Sequence, residues 1–292
     1  MLITGMDATK KKTAIIFIPL GLGIIIFAEI MKISGVYFFQ VFFTPVVWSG
    51  YIIFLDGINH LWRKRSLIID DTCNFLWMLP VSIGLWYVFE FYNLFLNNWH
   101  YINLPENKTI RYFGYFWSFA TIWPGILETY ILLTGTKIFD KLRIKPYRLT
   151  TRAFWIFVTV GAVFEIVPFV IPTQYWAPTI WTGFVLLLDP INYRLNRPSI
   201  LGRWEHGTLA PLFRLFTAGL ICGFLWEFWN FWAGAKWRYT VPYLPDIYLF
   251  EMPIFGFLGF IPFAVEVFTM YVFVGWLFLK LFGIKCINFQ LG

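Results

Sequence analysis

The sequence predicts an all-α integral membrane protein of about eight transmembrane helices, arranged as two tandem four-helix repeats. Three observations predict this class. Of the 292 residues, 59% are hydrophobic and only 13% are charged, whereas a soluble domain carries about 25% charged residues. The apolar residues fall into long runs, and two distant stretches share one residue pattern.

The shared pattern predicts an internal duplication. Residues 44–59 have the sequence TPVVWSGYIIFLDGIN, and residues 177–192 have APTIWTGFVLLLDPIN. At a constant separation of 133 residues, the recurring pairs are Pro45 and Pro178, Trp48 and Trp181, Gly50 and Gly183, Asp56 and Asp189, Ile58 and Ile191, and Asn59 and Asn192. Six identities in phase define a first membrane repeat over residues 1–147 and a second over residues 148–292.

Eight apolar runs provide the predicted spans, because a spanning helix needs about 20 such residues. The predicted spans are residues 13–31, 37–59, 74–97, 112–136, 152–171, 176–193, 208–232 and 249–279. We expect the first run to remain as an uncleaved helix, because no small-x-small cleavage site follows it. Prolines and glycines between 253 and 262 predict a short half-helix before the last full span.

The distribution of basic residues predicts the orientation. Of the 23 lysines and arginines, 17 lie in the N-terminal segment, in the loops after spans two, four and six, and in the C-terminal segment. The positive-inside rule therefore places both termini in the cytoplasm and the protein in the cytoplasmic (inner) membrane. Because each half has four spans, both halves enter the membrane in the same direction, which predicts a pseudo-twofold axis along the membrane normal. The net charge of +7 follows this topology and does not indicate a nucleic-acid partner.

Acidic residues recur inside the predicted spans. The matched pairs are Glu90 and Glu227, Asn93 and Asn230, Pro124 and Pro262, and Glu128 and Glu266, at separations of 137 or 138 residues. An acidic side chain inside a bilayer costs at least ~2.5 kcal/mol on the insertion scale. We therefore expect partners for these carboxyls within the bundle. The candidate catalytic residues are Glu90, Glu128, Glu227, Glu251 and Glu266.

Glu90 and Asn93 are three residues apart, as are Glu227 and Asn230, so each pair shares one helical face. Two interpretations remain open. Each Asn donates to a Glu of a neighbouring helix as a structural clamp, or each pair contacts a substrate beside the aromatic residues that follow. The candidate substrate-binding residues are Asn93, Asn230, Trp226, Trp229, Trp237 and Tyr239.

Glu128 and Glu266 each follow a proline by four residues. A proline leaves a helical carbonyl without its donor, so a protonated carboxyl could donate to that carbonyl as a structural device. The functional alternative is proton handling in catalysis or transport. Glu251 precedes Pro253 at the expected helix break and has no counterpart in the first half, which makes it the strongest single candidate for specialised chemistry.

Asp56 and Asp189 close the second and sixth spans, and arginines follow within two or three turns. Interfacial ion pairs are the structural interpretation, and a phosphate headgroup site in the arginine cluster is the functional alternative. The three cysteines and three histidines show no ligand spacing, so neither a metal site nor a disulfide framework is expected. The sequence indicates no cofactor.

Three function classes fit these observations. The first is an intramembrane enzyme or binding protein for a lipid or isoprenoid, in which carboxylic acids protonate a substrate and aromatic faces stabilise a cation. In outline the duplicated acidic bundle resembles the membrane-bound carotenoid cyclases, but it has four spans per half and lacks their Pro-x-Glu-Glu run. The second class is a proton-coupled transporter or channel. The third is an accessory subunit of a membrane complex, with other membrane subunits as partners.

Overall fold

The structure, a computed structural model, describes residues 2–243 and 246–291 and is predominantly helical. The α-helices are α1 (Leu2–Ile33), α2 (Tyr37–Val41), α3 (Phe43–Arg63), α4 (Thr72–Leu96), α5 (Lys108–Ala120), α6 (Ile122–Thr134), α7 (Thr151–Val170), α8 (Ala177–Arg194), α9 (Ile200–Glu205), α10 (Ala210–Trp232) and α11 (Phe260–Phe282). Short 3-10 segments cover Lys137–Phe139, Gln174–Trp176 and Ile254–Gly259.

Among the described residues, five helices are long and apolar enough to cross a membrane: Asp7–Ile33, Thr72–Leu96, Thr151–Val170, Ala210–Trp232 and Ile254–Phe282. Helices α3 and α8 cover the predicted second and sixth spans but end in polar turns. The predicted fourth span consists of two 13-residue helices, α5 and α6. Pro124 explains that break, because it has no N–H to donate to the carbonyl of Ala120.

The predicted half-helix before the last span is the 3-10 segment Ile254–Gly259, which runs directly into α11. Pro262 lies in the first turn of α11, where a helix requires no backbone donor. Upstream, β3 (Tyr248–Leu249) and β4 (Met252–Pro253) form an antiparallel hairpin. Its turn is Phe250–Glu251, and Phe250 has the positive φ of 60° that a tight reversal requires.

The chain forms two compact units, each assembled from three segments. Unit 1 consists of Met1–Gly84, Tyr101–Gly135 and Leu225–Arg238; unit 2 consists of Leu85–His100, Thr136–Phe224 and Tyr239–Gly292. Each unit thus contains most of one predicted half and a short segment of the other. The C-terminal end of α4 belongs to unit 2, and the C-terminal end of α10 belongs to unit 1.

Glycines let two helices touch along their backbones in each unit. In unit 1, α1 packs on α3, where a Cβ added at Gly21 would lie 2.5 Å from the carbonyl oxygen of Gly50. In unit 2, α7 packs on α8, and a Cβ added at Gly161 would lie 2.5 Å from the amide nitrogen of Leu187. Real Cβ atoms do not approach so closely, so both positions require glycine.

Strands β1 (Trp99–Ile102) and β2 (Lys236–Tyr239) form a two-stranded sheet directly after α4 and α10. Cys222 is a buried free thiol, whereas Cys73 and Cys286 are disulfide-bonded. This result corrects the expectation that no disulfide forms. The spacing of cysteines along a sequence does not determine which of them lie close together in a fold.

Candidate functional site

Asp56 and Asp189 each hold the loop that follows their own helix. In unit 1, the Asp56 carboxylate accepts hydrogen bonds from the amides of Ile68 and Ile69. In unit 2, the Asp189 carboxylate accepts from the amides of Ile200 and Leu201 at 2.8 and 2.9 Å. Both carboxylates are buried. The expected arginine ion pairs are therefore replaced by bonds to backbone amides, which a residue pattern does not reveal.

One turn further along, an asparagine joins each helix to a later one. Asn59 donates from Nδ2 to the carbonyl oxygen of Glu128 at 2.9 Å. Asn192 donates in the same way to the carbonyl oxygen of Thr269 at 3.0 Å. We call the Asp–Asn pair of each unit its aspartate clamp: Asp56 and Asn59 in unit 1, Asp189 and Asn192 in unit 2.

Glu128 is part of the unit 1 clamp. Its Oε1 accepts from the Leu67 amide at 2.7 Å, and its Oε2 accepts from Asn59 Nδ2 at 2.5 Å. The Asp56 and Glu128 carboxyls are also hydrogen-bonded to each other. Glu128 therefore bonds the preceding loop and helix, and not the carbonyl freed by Pro124 as expected.

Asn93 and Asn230 each cap the strand that follows their helix. In unit 2, Asn93 donates to the carbonyl oxygen of Trp99 at 2.8 Å and accepts from the Asn98 amide at 2.8 Å. In unit 1, Asn230 donates to the carbonyl oxygen of Trp237 at 2.9 Å and accepts from its amide at 3.0 Å. The expected bond to a Glu of a neighbouring helix is not among these contacts, because the side chains turn back onto their own chain.

Four aromatic rings pack around α3 in unit 1. The centroid of Trp48 lies 6.1 Å from that of Trp226 and 5.2 Å from that of Trp229, and Tyr51 lies 6.0 Å from Trp229. The interplanar angles lie between 65° and 83°, the edge-to-face geometry that aromatic pairs favour. Glu227, on the same helical segment, is fully buried.

A second aromatic cluster packs around α8 in unit 2. Phe89 stacks on Trp181 at 5.0 Å, and Phe263 meets Trp181 edge-on at 5.3 Å. Phe184 lies 6.0 Å from Tyr92. We call these rings, Phe89, Tyr92, Trp181, Phe184 and Phe263, the unit 2 aromatic cluster.

Two buried carboxyls adjoin the unit 2 aromatic cluster. Glu165 of α7 lies against Gly183 and beside the Tyr92 hydroxyl and the Phe184 amide. Glu266 of α11 is one turn beyond Phe263, has 0% exposure, and lies within electrostatic range of Glu165. Among the described residues, neither oxygen of Glu266 has a hydrogen-bond partner. A buried acid without a partner costs stability.

The remaining predicted residues lie in unit 2. Oε1 of Glu90 accepts from the indole nitrogens of Trp86 and Trp99 at 2.9 and 3.2 Å. Glu251 lies half-buried in the hairpin turn rather than at a helix break. Tyr239 ends β2 and is half-buried. The five predicted catalytic acids are thus divided, with Glu128 and Glu227 in unit 1 and the other three in unit 2.

The contacts change the correspondence of the last helices of the two halves. Asn59 meets Glu128 where Asn192 meets Thr269, a separation of 141 residues. At the same separation, Ser82 donates to the carbonyl oxygen of Phe119, and Gly219 lies against the carbonyl oxygen of Phe260. On this register Thr269 occupies the position of Glu128, which corrects the pairing of Glu128 with Glu266.

On the same register, Glu266 occupies the position of Gly125. A Cβ added at Gly125 would lie 2.9 Å from Cζ3 of Trp48, so an indole ring fills that place in unit 1. Glu165 has no acidic counterpart, since Gly50 meets Ile25 where Gly183 meets Glu165. Sequence reasoning left Glu165, Tyr92 and Trp181 out of the site, although the repeated Trp48–Trp181 pair was a signal that could have included Trp181.

Comparisons with protein-family models, curated proteins and solved structures find no match. The functional argument therefore depends on the geometry alone.

Proposed function

We propose that this membrane protein binds an unsaturated lipid or isoprenoid and acts on it by acid–base chemistry, at a site formed by Glu266, Glu165 and the unit 2 aromatic cluster. The observation that carries the proposal is the state of Glu266. It is an acid with 0% exposure whose oxygens have no hydrogen-bond partner among the described residues. Packing alone would be better served by an apolar residue there.

The aromatic cluster supports a substrate that becomes positively charged. Phe89, Trp181 and Phe263 lie within one turn or one ring contact of the Glu266 position. The faces of such rings attract cations by roughly 0.5–2 kcal/mol each. An apolar polyene would also match these rings in polarity, because few hydrogen-bonding groups line this part of unit 2.

In the proposed reaction, the Glu266 carboxyl gives its proton to one carbon of a substrate double bond. The electron pair of that bond forms the new C–H bond and leaves a carbocation on the other carbon. The Glu266 carboxylate then takes a proton from a neighbouring carbon, and that C–H electron pair forms a new double bond. The net result is an isomerised or cyclised hydrocarbon with no redox change and the acid restored. Tyr92 and Glu165 position the acid and substrate.

The proposal is tested by mass spectrometry of lipids that co-purify with the full-length protein in mild detergent. Glu266→Gln keeps the shape of the side chain but removes its acidic proton. For an enzyme, we expect this variant to retain a stoichiometric unsaturated substrate, whereas the wild type carries its isomeric product. Glu106→Gln, a substitution of an exposed residue, is the matched control and should behave as the wild type.

Each result of that measurement decides between functions. The same bound molecule in wild type and Glu266→Gln indicates a binding protein without catalysis. Only bulk membrane lipid in both proteins contradicts the proposal and favours the second candidate.

The second candidate is a proton-coupled transporter or channel. The observation that favours it is the electrostatic proximity of Glu165, Glu266 and Tyr92 within one unit, because proton pathways use successive titratable groups inside membrane proteins. In proteoliposomes, an imposed pH gradient should then produce proton flux that Glu266→Gln abolishes. Flux that is unaffected by this substitution would contradict the transport role of these groups.

We further propose that the chain is a tandem duplication of four spans per half, with both termini in the cytoplasm. The paired clamps, the paired glycine contacts and the paired aromatic contacts in the two units support a common origin. Cysteine-accessibility labelling at Lys64, Lys108 and Arg194 tests the topology. Labelling of Lys108→Cys from the outside, and of the other two only from the inside, is the expected pattern.

A further inference from the structure

The Asp56–Glu128 pair forms a second buried acidic site, separate from the residues of the proposed reaction. Both side chains have 0% exposure. Three consecutive loop amides bond to the pair: Leu67 bonds to Glu128, and Ile68 and Ile69 bond to Asp56. The loop between α3 and α4 thus spans both carboxyls and holds them side by side.

The hydrogen bond between the two carboxyls requires a proton. Ionised carboxylates are acceptors only, so two of them have no donor to share. Two adjacent carboxyls with one proton between them form the arrangement in which like charges cannot both be present at low cost. The pair that the structure describes therefore contains one proton.

Asn59 provides an independent indication that this site takes a ligand. Its Nδ2 is fully used, with bonds to the carbonyl oxygen and the Oε2 of Glu128. Its Oδ1 is also buried and has no hydrogen-bond partner among the described residues. An acceptor in this position matches a proton donor such as a water molecule or hydronium ion.

Charged groups surround the pair on each neighbouring element. Burial lowers the pKa of the Arg65 guanidinium in the loop, while Tyr130 and Glu128 of α6 and Asp71 oppose that change. His60 of α3 bonds Asp70 at 2.9 Å, and Asp70 also bonds Lys10 of α1 and Ser66. Since arginine retains its charge in proteins, Arg65 supplies positive charge close to the pair.

The corresponding place in unit 2 lacks a second carboxyl. There Asp189 alone accepts from two loop amides, and the position of Glu128 is occupied by Thr269. A single carboxylate with two amide donors needs no proton to be satisfied. Proton binding at this level is therefore a property of the unit 1 clamp.

We propose that the Asp56–Glu128 pair is a proton-binding site and that its proton keeps the α3–α4 loop closed. Loss of the proton leaves two adjacent carboxylates that repel each other. Since Leu67 is bonded to one carboxyl and Ile68 to the other, separation of the pair breaks the bonds that hold the loop. The site binds a proton from the side of the membrane that this loop faces and does so independently of the chemistry proposed for Glu266.

Limited trypsin digestion of the full-length protein in mild detergent provides the test. Lys64 and Arg65 lie in the loop and are trypsin sites, and the exposed Arg194 serves as an internal reference in the same sample. Across a series from mildly acidic to alkaline pH, cleavage at the loop relative to Arg194 should rise about tenfold per pH unit while the proton is lost. That slope follows from the linkage of opening to one proton.

Two variants and one control complete the experiment. Glu128→Gln and Asp56→Asn each remove one titratable group, so the cleavage ratio should become independent of pH in either variant. Asp189→Asn changes the unit 2 clamp and should retain the wild-type profile. A pH-independent ratio in the wild type overturns the proposal, as does a wild-type profile in the folded variants. A profile that shifts when sodium or calcium chloride is added would assign the site to a metal cation instead.

Discussion

The two units use the same helix contacts but place their acids differently. In each unit a glycine pair joins two helices, and an Asp–Asn clamp joins a loop and a later helix. At the clamp, unit 1 adds Glu128 where unit 2 has Thr269. At the aromatic cluster, unit 2 has Glu266 where unit 1 has Gly125 and the indole ring of Trp48. The comparison teaches that the shared contacts hold the helices, while the residues that differ carry the chemistry.

The largest expected effect concerns the clamp that both units share. Asp189→Ala would leave the buried amides of Ile200 and Leu201 without an acceptor, at about 1–3 kcal/mol each. We expect the free energy of unfolding in mixed micelles to fall by about 4 kcal/mol, and by about half as much for Asp189→Asn. Asp56→Ala should have an effect of similar size if the clamps are equivalent.

A change below ~1 kcal/mol for Asp189→Ala would break the comparison at its foundation. Glu106→Ala, at an exposed position, is the reference for substitutions without structural effect.

The glycine contacts should give the next largest effect. Gly21→Ala in unit 1 and Gly161→Ala in unit 2 each place a methyl group on a backbone atom of the facing helix. Overpacking of this kind costs about 1–3 kcal/mol, which thermal denaturation in detergent would record as a lower Tm. Gly23→Ala is the matched control on α1, because no atom lies within 4 Å of its added Cβ. Unequal losses for Gly21→Ala and Gly161→Ala would sharpen the comparison by showing which unit tolerates helix separation.

The strand caps should differ by a smaller amount. Asn230 is fully buried and Asn93 is half-buried, so the backbone groups freed by Asn93→Ala are more accessible to water. We expect a loss of about 2 kcal/mol for Asn230→Ala and about 1 kcal/mol for Asn93→Ala. Tryptophan fluorescence during denaturation would report the change through Trp237 and Trp99. A larger loss for Asn93→Ala would contradict this order.

Glu266→Leu should produce the smallest change in stability and one of opposite sign. Replacing an unpartnered buried acid by an apolar residue should raise the free energy of unfolding by about 1 kcal/mol. Activity on the bound substrate should be lost in the same variant. Such an exchange of stability for activity is typical of functional sites. A variant that is both less stable and fully active would show that Glu266 is a structural residue.

Sequence reasoning predicted the helices well, since their apolar runs are long and their prolines and glycines mark the ends. It found Asp56, Asn59 and their counterparts because identical residues recur in phase. It did not predict what these residues bind, because their partners are backbone amides and carbonyls of loops 11 to 13 residues away. Backbone groups have no sequence signature.

The register of the last helix shows a second limit. Pro124 and Glu128 resemble Pro262 and Glu266 in type, and four-residue spacing made the match convincing. The contacts of Ser82, Asn59 and their counterparts instead require a shift of three residues. Three residues are nearly one helical turn, so both alignments present the same face. Only tertiary contacts distinguish them, and they turn an apparent matched pair into two different acids.

The composition of the units also has a consequence for synthesis of the chain. Unit 1 includes Leu225–Arg238, which carries Trp226 and Trp229. About 90 residues separate this segment from Gly135, the last earlier residue of the unit, so most of the chain must be inserted before unit 1 is complete. Contacts so distant along the chain form late and slowly. During this interval the rings of Trp48 and Tyr51 lack their final neighbours, and the nascent protein depends on membrane lipid or an insertion factor to cover them.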